Sequence, residues 1–226
     1  MRMTVVQKLF LLVALAALPC TAAETNALLD RWFAAQAQAQ TWRADFTQTR
    51  TLKSLVQPLT TSGRVWFAVP GNFRWELGAP PQTIAVRGGD SLLVIYPPLH
   101  RAERYPLAAA ATGQWRELAS LLESGFPRSH AELAAKFLLA AQTVTNDVCE
   151  LTLQPKSAAA RKLMPEFRLA FAVTDLALTA TEMRFADGST LRNDFTNAQL
   201  NLPLDQALFA PSLDASYQLT EPFKTK

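Results

Sequence analysis

Apolar and polar residues alternate with a period of two through much of this chain, and this pattern constrains its fold more than any other feature. Residues 42–46, 64–67 and 73–77 all show it. A strand with this period buries one face and turns the other outward. Because turn residues such as Gly88-Gly89-Asp90 separate such segments at hairpin spacing, the sequence predicts an antiparallel sheet.

Later segments continue the strand pattern. Residues 91–96 are apolar on both faces, which predicts either a central strand that is covered on each side or a strand whose outer face contacts something else. Residues 148–153 and 167–173 are also strand-like. Residues 179–185 and 191–196 flank Asp187-Gly188, a pair typical of a two-residue hairpin turn of the primed type. We therefore expect about ten or eleven strands in total.

Three segments have the 3.6-residue period of amphipathic helices. The first covers residues 26–40, and the second begins at Thr112 and breaks at residues 125–127. The third follows Ser129 and Glu132, which are spaced for a reciprocal capping box, and extends to Ala141. Because helices do not follow every strand, the pattern predicts the α+β class and argues against a parallel βαβ fold. Two packed sheets or one long curled sheet wrapped around helices both fit.

Residues 1–23 are typical of a secretory signal peptide, with Arg2 and Lys8 before a short apolar stretch and small residues at its end. We expect cleavage after Ala23 and one mature domain of residues 24–226. Cys149 would then be the sole cysteine, so no intramolecular disulfide is expected. Pro19 before Cys20 argues against lipoprotein processing at that cysteine.

Composition and motifs indicate binding rather than catalysis. The chain has 22 basic and 19 acidic residues, and without the two basic residues of the leader the balance is 20 to 19, which gives no basic patch for nucleic acid. The two histidines, His100 and His130, are not spaced as metal ligands. No phosphate-binding loop or nucleophile elbow occurs. We expect no enzymatic activity, metal or cofactor.

Seven short motifs follow one another along residues 24–226. They are ADFTQ at 44–48, GRVWF at 63–67, VPGNFRW at 69–75, GDSLLVIYP at 89–97, LQPK at 153–156, DG at 187–188 and LFAP at 208–211. In this order and spacing the chain resembles the LolA family of periplasmic lipoprotein carriers. The resemblance implies a curled antiparallel β-sheet, an incomplete barrel closed by helices that act as a lid, whose apolar interior takes up acyl chains.

The resemblance also implies partners and a location. Such carriers work in the periplasm, receive acylated lipoprotein from an inner-membrane ABC-type exporter and pass it to an outer-membrane receptor. We expect a monomer that binds no nucleic acid. Related alternatives are the outer-membrane lipoprotein receptor of the same fold, which would be acylated at Cys20, and a periplasmic lipid sensor or regulator. The cargo could also be another acylated lipid.

Candidate site residues follow from the strand parity and the resemblance together. Apolar side chains on the concave sheet face would line the cavity, and helix residues would cover it. The lining candidates are Phe46, Val65, Phe67, Trp75, Phe171, Met183 and Phe185, and the lid candidates are Leu118, Leu121 and Leu122. The resemblance implies that Phe73 docks on the exporter. Arg74 has the opposite parity, so we expect it to be a solvated charge. Val69 stands where many members of the family have a lid-latching arginine.

Overall fold

A computed structural model describes residues 22–107 and 127–222 of the chain. Its helices are α1 (Ala22–Gln38), α2 (His130–Lys136) and α3 (Ala158–Leu163). Its strands are β1 (Thr41–Thr51), β2 (Leu59–Ala68), β3 (Asn72–Leu77), β4 (Thr83–Gly88), β5 (Ser91–Tyr96), β6 (Arg101–Pro106), β7 (Phe137–Thr145), β8 (Val148–Pro155), β9 (Glu166–Ala172), β10 (Leu178–Arg184), β11 (Thr190–Leu200) and β12 (Gln218–Thr220). In those two stretches no helix has both the length and the apolar composition that a membrane crossing requires.

The strands of the described residues form one sheet in the order β12-β6-β5-β4-β3-β2-β1-β11-β10-β9-β8-β7. Neighbours pair antiparallel except β12, which runs parallel to β6. The first and last strands of this order, β12 and β7, are the two edges, so the curled sheet remains open. This arrangement confirms the α+β class and selects the single curled sheet over two packed sheets.

The concave face of the sheet packs against α1. Leu28, Leu29, Trp32 and Phe33 repeat at helical spacing and are all buried. They join side chains of β1, β2 and β8–β11 in the main hydrophobic cluster of the protein. Burying one apolar face of a helix on the apolar face of a sheet is what stabilises both, because neither is stable alone in water.

The convex face of β2–β6 is covered by residues 201–222, called here the C-terminal segment. Phe209 of this segment packs on Trp66 and Ala68, and Leu213 and Tyr217 pack on β5 and β6. The approach is close at Gly88, where an added Cβ would overlap the carbonyl oxygen of Phe209. The segment covers the convex face of β5, where Leu93 and Ile95 are buried. This confirms the expectation of a strand whose outer face contacts another part of the molecule.

The convex face of β8–β11 is covered with alternating charges instead. Arg168 lies 2.7 Å from Glu166 and 3.5 Å from Glu150, and Arg192 lies 2.7 Å from Asp194 and 3.5 Å from Glu182. Each partly exposed pair contributes little to stability, about 0–1 kcal/mol. The pairs give this half of the sheet a hydrophilic outer surface.

The predicted third helix is wrong in its second half. It ends at Lys136, and Phe137 begins strand β7, which pairs with β8. The β-branched residues Thr143, Val144 and Thr145 favour a strand here. The capping box is also shifted, because Ser129 Oγ accepts from the Glu132 amide at 3.1 Å, whereas Glu132 accepts from the Arg128 amide at 2.8 Å.

Two other features differ in detail. The Asp187-Gly188 hairpin is present, but its loop has three residues: the Phe185 amide donates to the Ser189 carbonyl at 2.9 Å, and Gly188 has a positive φ of 83°. This is a type I turn followed by a bulge rather than a primed two-residue turn. Helix α3, which Ser157 caps, was not expected. The signal segment up to residue 21 and the second predicted helix, with Leu118, Leu121 and Leu122, lie outside the described residues.

Candidate functional site

Strand register places most of the predicted lining residues on the concave face. Residues that are directly opposite each other in paired strands point to the same face of a sheet. Val65 is opposite Trp75, and Met183 is opposite Phe167. The main cluster contains Phe46, Val65 and Phe171, with Phe67, Trp75 and Phe167 packed against it. Phe185 lies one residue beyond the end of β10, where its bond to Ser189 closes the hairpin loop, and is half-buried.

Aromatic rings form the centre of this concave surface. Phe46 and Trp75 lie 4.1 Å apart between ring centroids, and Phe195 meets both edge-on at 6.2 and 6.3 Å. Trp32 of α1 stacks on Phe171 at 5.0 Å. Such pairs contribute about 0.5–1.5 kcal/mol each beyond the area they bury. The cluster therefore joins α1 to both halves of the sheet.

Exposure divides the predicted lining residues into two groups. Phe46, Val65 and Phe171 are 2%, 4% and 0% exposed, so they pack against α1 and the neighbouring strands. Phe67, Trp75 and Met183 are half-buried and have surface left for a ligand. Strand parity gives the face of a side chain but not its depth, so the sequence could not separate these groups.

A small cavity opens beside the main cluster, between the last turn of α1 and the β9–β10 turn. Its volume is about 180 Å³, and it is lined by Gln36, Trp42, Asp175, Leu176, Ala177, Leu178, Ala198 and Leu200. We call it the rim cavity. Trp42 and Leu178 also belong to the main cluster, and Leu176 packs against it. The lining comes from segments that are distant in the chain, so no local sequence pattern indicates this cavity.

Polar side chains cross the concave face next to the aromatic centre. Gln48 Nε2 donates to Asn193 Oδ1 at 3.0 Å, and Asn193 Nδ2 donates to Thr181 Oγ1 at 3.3 Å. Asn193 and Thr181 are buried, at 3% and 7% exposure. The mutual hydrogen bonds offset the cost of burying these groups. The concave face is therefore apolar around Phe46 but has a hydrogen-bonded row beside it.

A second polar group lies on β6. Glu103 accepts hydrogen bonds from Tyr105 at 2.5 Å and from Arg101, and Arg101 lies over the ring of Tyr96. The bonds from Tyr105 and Arg101 lower the pKa of Glu103. Burial and the bond to Glu103 raise the pKa of Tyr105 to about 12. Glu103 is therefore held as a carboxylate and Tyr105 as a neutral phenol.

Phe73 lies at the start of β3, opposite Phe67 and Arg87, and is half-buried. Its docking role stays a prediction. Val69 follows the end of β2, where its amide donates to the Gln40 carbonyl at 2.9 Å.

The expectation that Arg74 is a solvated outer charge is half right. The Arg74 side chain points to the convex face but is only 15% exposed, because it donates to Glu76 at 2.7 Å and to the Leu208 carbonyl at 3.2 Å.

A larger cavity lies on the convex side, under the C-terminal segment. Its volume is about 410 Å³, and its lining includes Val86, Leu93, Arg104 and Phe209. Arg104 also lies 3.6 Å from Glu221. This cavity is on the opposite side of the sheet from α1 and from the predicted lining residues.

The histidines and the cysteine have local partners. His130 lies 2.7 Å from Asp30 and stands edge-on to Phe33, and His100 lies 2.8 Å from Ser216. Cys149 is a buried thiol whose Sγ accepts from Gln142 Nε2 at 3.5 Å. Among residues 22–107 and 127–222, no three His, Cys, Asp or Glu side chains are grouped so that they could hold a metal ion.

Comparison with known proteins identifies the family. The sequence profile described as "Outer membrane lipoprotein carrier protein LolA" matches residues 37–212, which is most of the chain. The chain belongs to the LolA family. The profile spans the strands that form the concave face, from β1 to β11, and the first part of the C-terminal segment. This result confirms the family resemblance carried by the seven motifs.

Individual relatives agree with this assignment. An outer-membrane lipoprotein carrier protein of Chromohalobacter salexigens is 27% identical over 194 residues, which cover 85% of this chain and 86% of the relative. The crystal structure of an uncharacterized conserved protein from Thermus thermophilus superposes with a TM-score of 0.51 at 10% identity, covering 87% of this chain and 98% of that one. At that identity the structural likeness shows the fold alone.

Proposed function

We propose that this protein is a periplasmic carrier that shields the acyl chains of lipoproteins, or of another acylated lipid, during transfer from the inner to the outer membrane. Membership of the LolA family carries the proposal, together with the name of the relative from Chromohalobacter salexigens. Residues 1–23 act as a cleaved signal peptide, and the protein works by binding, without catalysis. Its partners are an inner-membrane ABC-type exporter and an outer-membrane lipoprotein receptor.

The concave face supplies the physical basis for shielding. Each methylene removed from water is worth about 0.8 kcal/mol, so a fourteen-carbon chain represents roughly 10 kcal/mol. Lipidated cargo therefore cannot cross water unprotected. Phe67, Trp75 and Met183 present half-buried apolar surface on the face that α1 covers. Buried neighbours such as Phe46 and Phe171 support that surface from below.

Release requires that binding be reversible. A carrier that exchanges cargo between two membrane proteins needs a cavity that opens and closes at small cost. We assign Leu118, Leu121 and Leu122 to the cover of the cavity and Phe73 to the surface that meets the exporter. Val69 stands where many members of the family have the latch arginine. Either another donor such as Arg64 or Arg50 takes its place, or opening of the cover is governed differently in this protein.

Binding of a fluorescent fatty acid to variants on β10 tests the proposal. Met183 and Arg184 are neighbours on one strand with opposite orientations: Met183 faces inward, and Arg184 is an exposed charge 3.5 Å from Glu166. Met183→Gln adds polarity to the concave face, and Arg184→Gln changes the outer face by a side chain of similar length. We expect the first variant to weaken binding about threefold to tenfold and the second to leave it unchanged.

Stability must be measured alongside binding. Equal urea midpoints for the two variants would show that a loss of binding comes from the concave face and not from unfolding. If the wild-type protein binds no fatty acid, the proposed carrier function is wrong. If both variants bind equally well, the acyl chain lies elsewhere on the molecule.

A further inference from the structure

Strand β7 forms a long, uncharged edge of the sheet. It has nine residues, Phe137–Thr145, and none of them is charged or proline. It pairs with β8 on one side, and within the described stretches of the chain no strand lies on its other side. Proteins usually protect such an edge with charges, proline or a short strand, because its backbone N–H and C=O groups attract another strand. The opposite edge, β12, has three residues, whereas β7 carries none of these protections.

The β7 edge also exposes apolar side chains on the concave face. Leu139 and Val144 are 43% and 39% exposed. Leu139 is opposite Leu153 in the pairing with β8, and Val144 is opposite a second residue of that strand, Cys149. Both β8 residues belong to the main cluster, and residues opposite each other share a face. The apolar concave surface therefore continues to the edge of the sheet.

A row of paired residues connects this edge to the proposed acyl surface. The row crosses β7 to β10 and consists of Leu139, Leu153, Phe167 and Met183. Because neighbouring strands lie about 4.8 Å apart, the row is roughly 14 Å long, a distance that an extended acyl chain can span. An acyl chain that contacts Met183 can therefore place the group at its head beside β7. In a lipoprotein, that group is attached to polypeptide.

We propose that the β7 edge binds the polypeptide of acylated cargo by strand addition, while the acyl chain lies on the concave face. The inference rests on the proposed carrier function and favours lipoprotein over a free lipid as the cargo. Strand addition uses main-chain hydrogen bonds, so it accepts peptides of differing sequence. A bulge separates Leu139 from Ala141, and the pairing with β8 is regular from Ala141 to Thr145. This regular stretch is where the added strand docks.

The size of the edge indicates what kind of partner it holds. A stable interface between two proteins needs about 20–30 residues on each side, whereas β7 has nine. Pairing along β7 is therefore too small to join two copies of this chain or to hold an unattached peptide. A peptide whose acyl chain is already bound stays beside the edge at a high effective concentration, so a few hydrogen bonds suffice. Acylated polypeptide meets this condition.

Acylated ligands with and without a peptide test the proposal. One ligand is decanoyl-glycinamide, and the other is a decanoyl hexapeptide of alternating serine and threonine; both displace a fluorescent fatty acid. We expect the peptide ligand to bind about threefold to tenfold more tightly, because its added hydrogen bonds outweigh the cost of ordering it. Two further peptide ligands carry N-methyl groups on every second nitrogen, in opposite phases. Since alternate residues of a strand bond to a given neighbour, only one phase should abolish the advantage.

Matched lysine substitutions at the two sheet edges locate the contact. Val144 on β7 and Leu219 on β12 are 39% and 40% exposed, so neither substitution should change the urea midpoint. Val144→Lys should remove the advantage of the peptide ligand over decanoyl-glycinamide, because a lysine at an edge opposes strand addition. Leu219→Lys should leave that advantage unchanged. In the wild-type protein the peptide ligand, unlike decanoyl-glycinamide, should slow amide exchange between Ala141 and Thr145.

The outcomes separate the strand site from the carrier function. If the two decanoyl ligands bind equally well, or if both N-methyl phases act alike, strand addition is wrong while acyl binding stands. If neither ligand nor the fatty acid binds, the carrier function itself fails. An equal loss of the peptide advantage in Leu219→Lys and Val144→Lys would contradict the location. A dimer that Val144→Lys dissociates in sedimentation experiments would show that β7 joins two copies, and would overturn the assignment to cargo.

Discussion

Gly63 allows the Phe46 ring to lie across β2, and enlarging this glycine should disrupt the aromatic centre. A Cβ at Gly63 would overlap Cζ of Phe46, would come within 2.7 Å of its Cε1, and would overlap the carbonyl oxygen of Glu76 on β3. The ring cannot retreat freely, because Trp75 lies 4.1 Å away between centroids. The Glu76 oxygen belongs to a paired strand and cannot move alone.

Overpacking of this kind costs about 1–3 kcal/mol, and the backbone contact places Gly63→Ala near the upper end of that range. Removing a glycine from a strand regains about 0.5–1 kcal/mol, so the expected net loss is about 1.5–2.5 kcal/mol. Urea unfolding followed by tryptophan fluorescence would measure it. With a slope of about 2 kcal/mol/M, the midpoint should fall by roughly 1 M.

A double-mutant cycle with Phe46→Leu isolates the ring contact. Leucine has no Cζ, so in that background the alanine meets the Glu76 oxygen alone. We expect Gly63→Ala to cost about 1 kcal/mol less there than in the wild-type protein. Additivity of the two substitutions within about 0.5 kcal/mol would refute the reasoning, since the ring would then not be what the alanine displaces.

Three further predictions concern other parts of the molecule. Arg74→Met should release the C-terminal segment, seen as faster amide exchange at Leu208, because Arg74 donates to that carbonyl; unchanged exchange would contradict this. The free energy of unfolding should decrease as the pH drops below about 4.3, because protonation of Glu103 removes the stabilisation that its lowered pKa represents. It should decrease again as the pH rises from about 10 to 12, because Tyr105 ionises at lower pH in the unfolded chain than in the folded protein. Tyr105→Phe should flatten both limbs in urea titrations across pH, and identical profiles would count against the pair. Phe73→Glu should spare fatty-acid binding but block cargo transfer from inner-membrane vesicles, and normal transfer would remove its docking role.

Much of the sheet could be predicted from the sequence, because alternation fixes which residues share a face. Trp75 and Val65 were assigned to one face by parity alone, and the strand register agrees. The prediction that the helix continues into the β7 segment is wrong, because Leu133, Phe137 and Leu138 also fit a helical period over a short window. Pairing with β8 decides in favour of the strand, and a long-range partner is invisible in a local pattern.

The site was harder to predict than the fold. Burial depth depends on what packs above a residue, so Phe171 at 0% exposure and half-buried Met183 have the same local pattern. The same limit explains Arg74, which has the parity of an outer charge but lies beneath the C-terminal segment. Trp32 was recognised as a helix-face residue, yet only its surroundings reveal that its donor lacks a partner.

Photocrosslinking tests the central claim most directly, namely that acyl chains bind on the face covered by α1. A fatty acid with a diazirine on its chain would be bound to the purified protein, irradiated and mapped by mass spectrometry. The account predicts adducts on Phe67, Trp75 and Met183, all suppressed by excess unlabelled fatty acid. Adducts confined to the convex cavity of about 410 Å³ beneath Phe209 would contradict it.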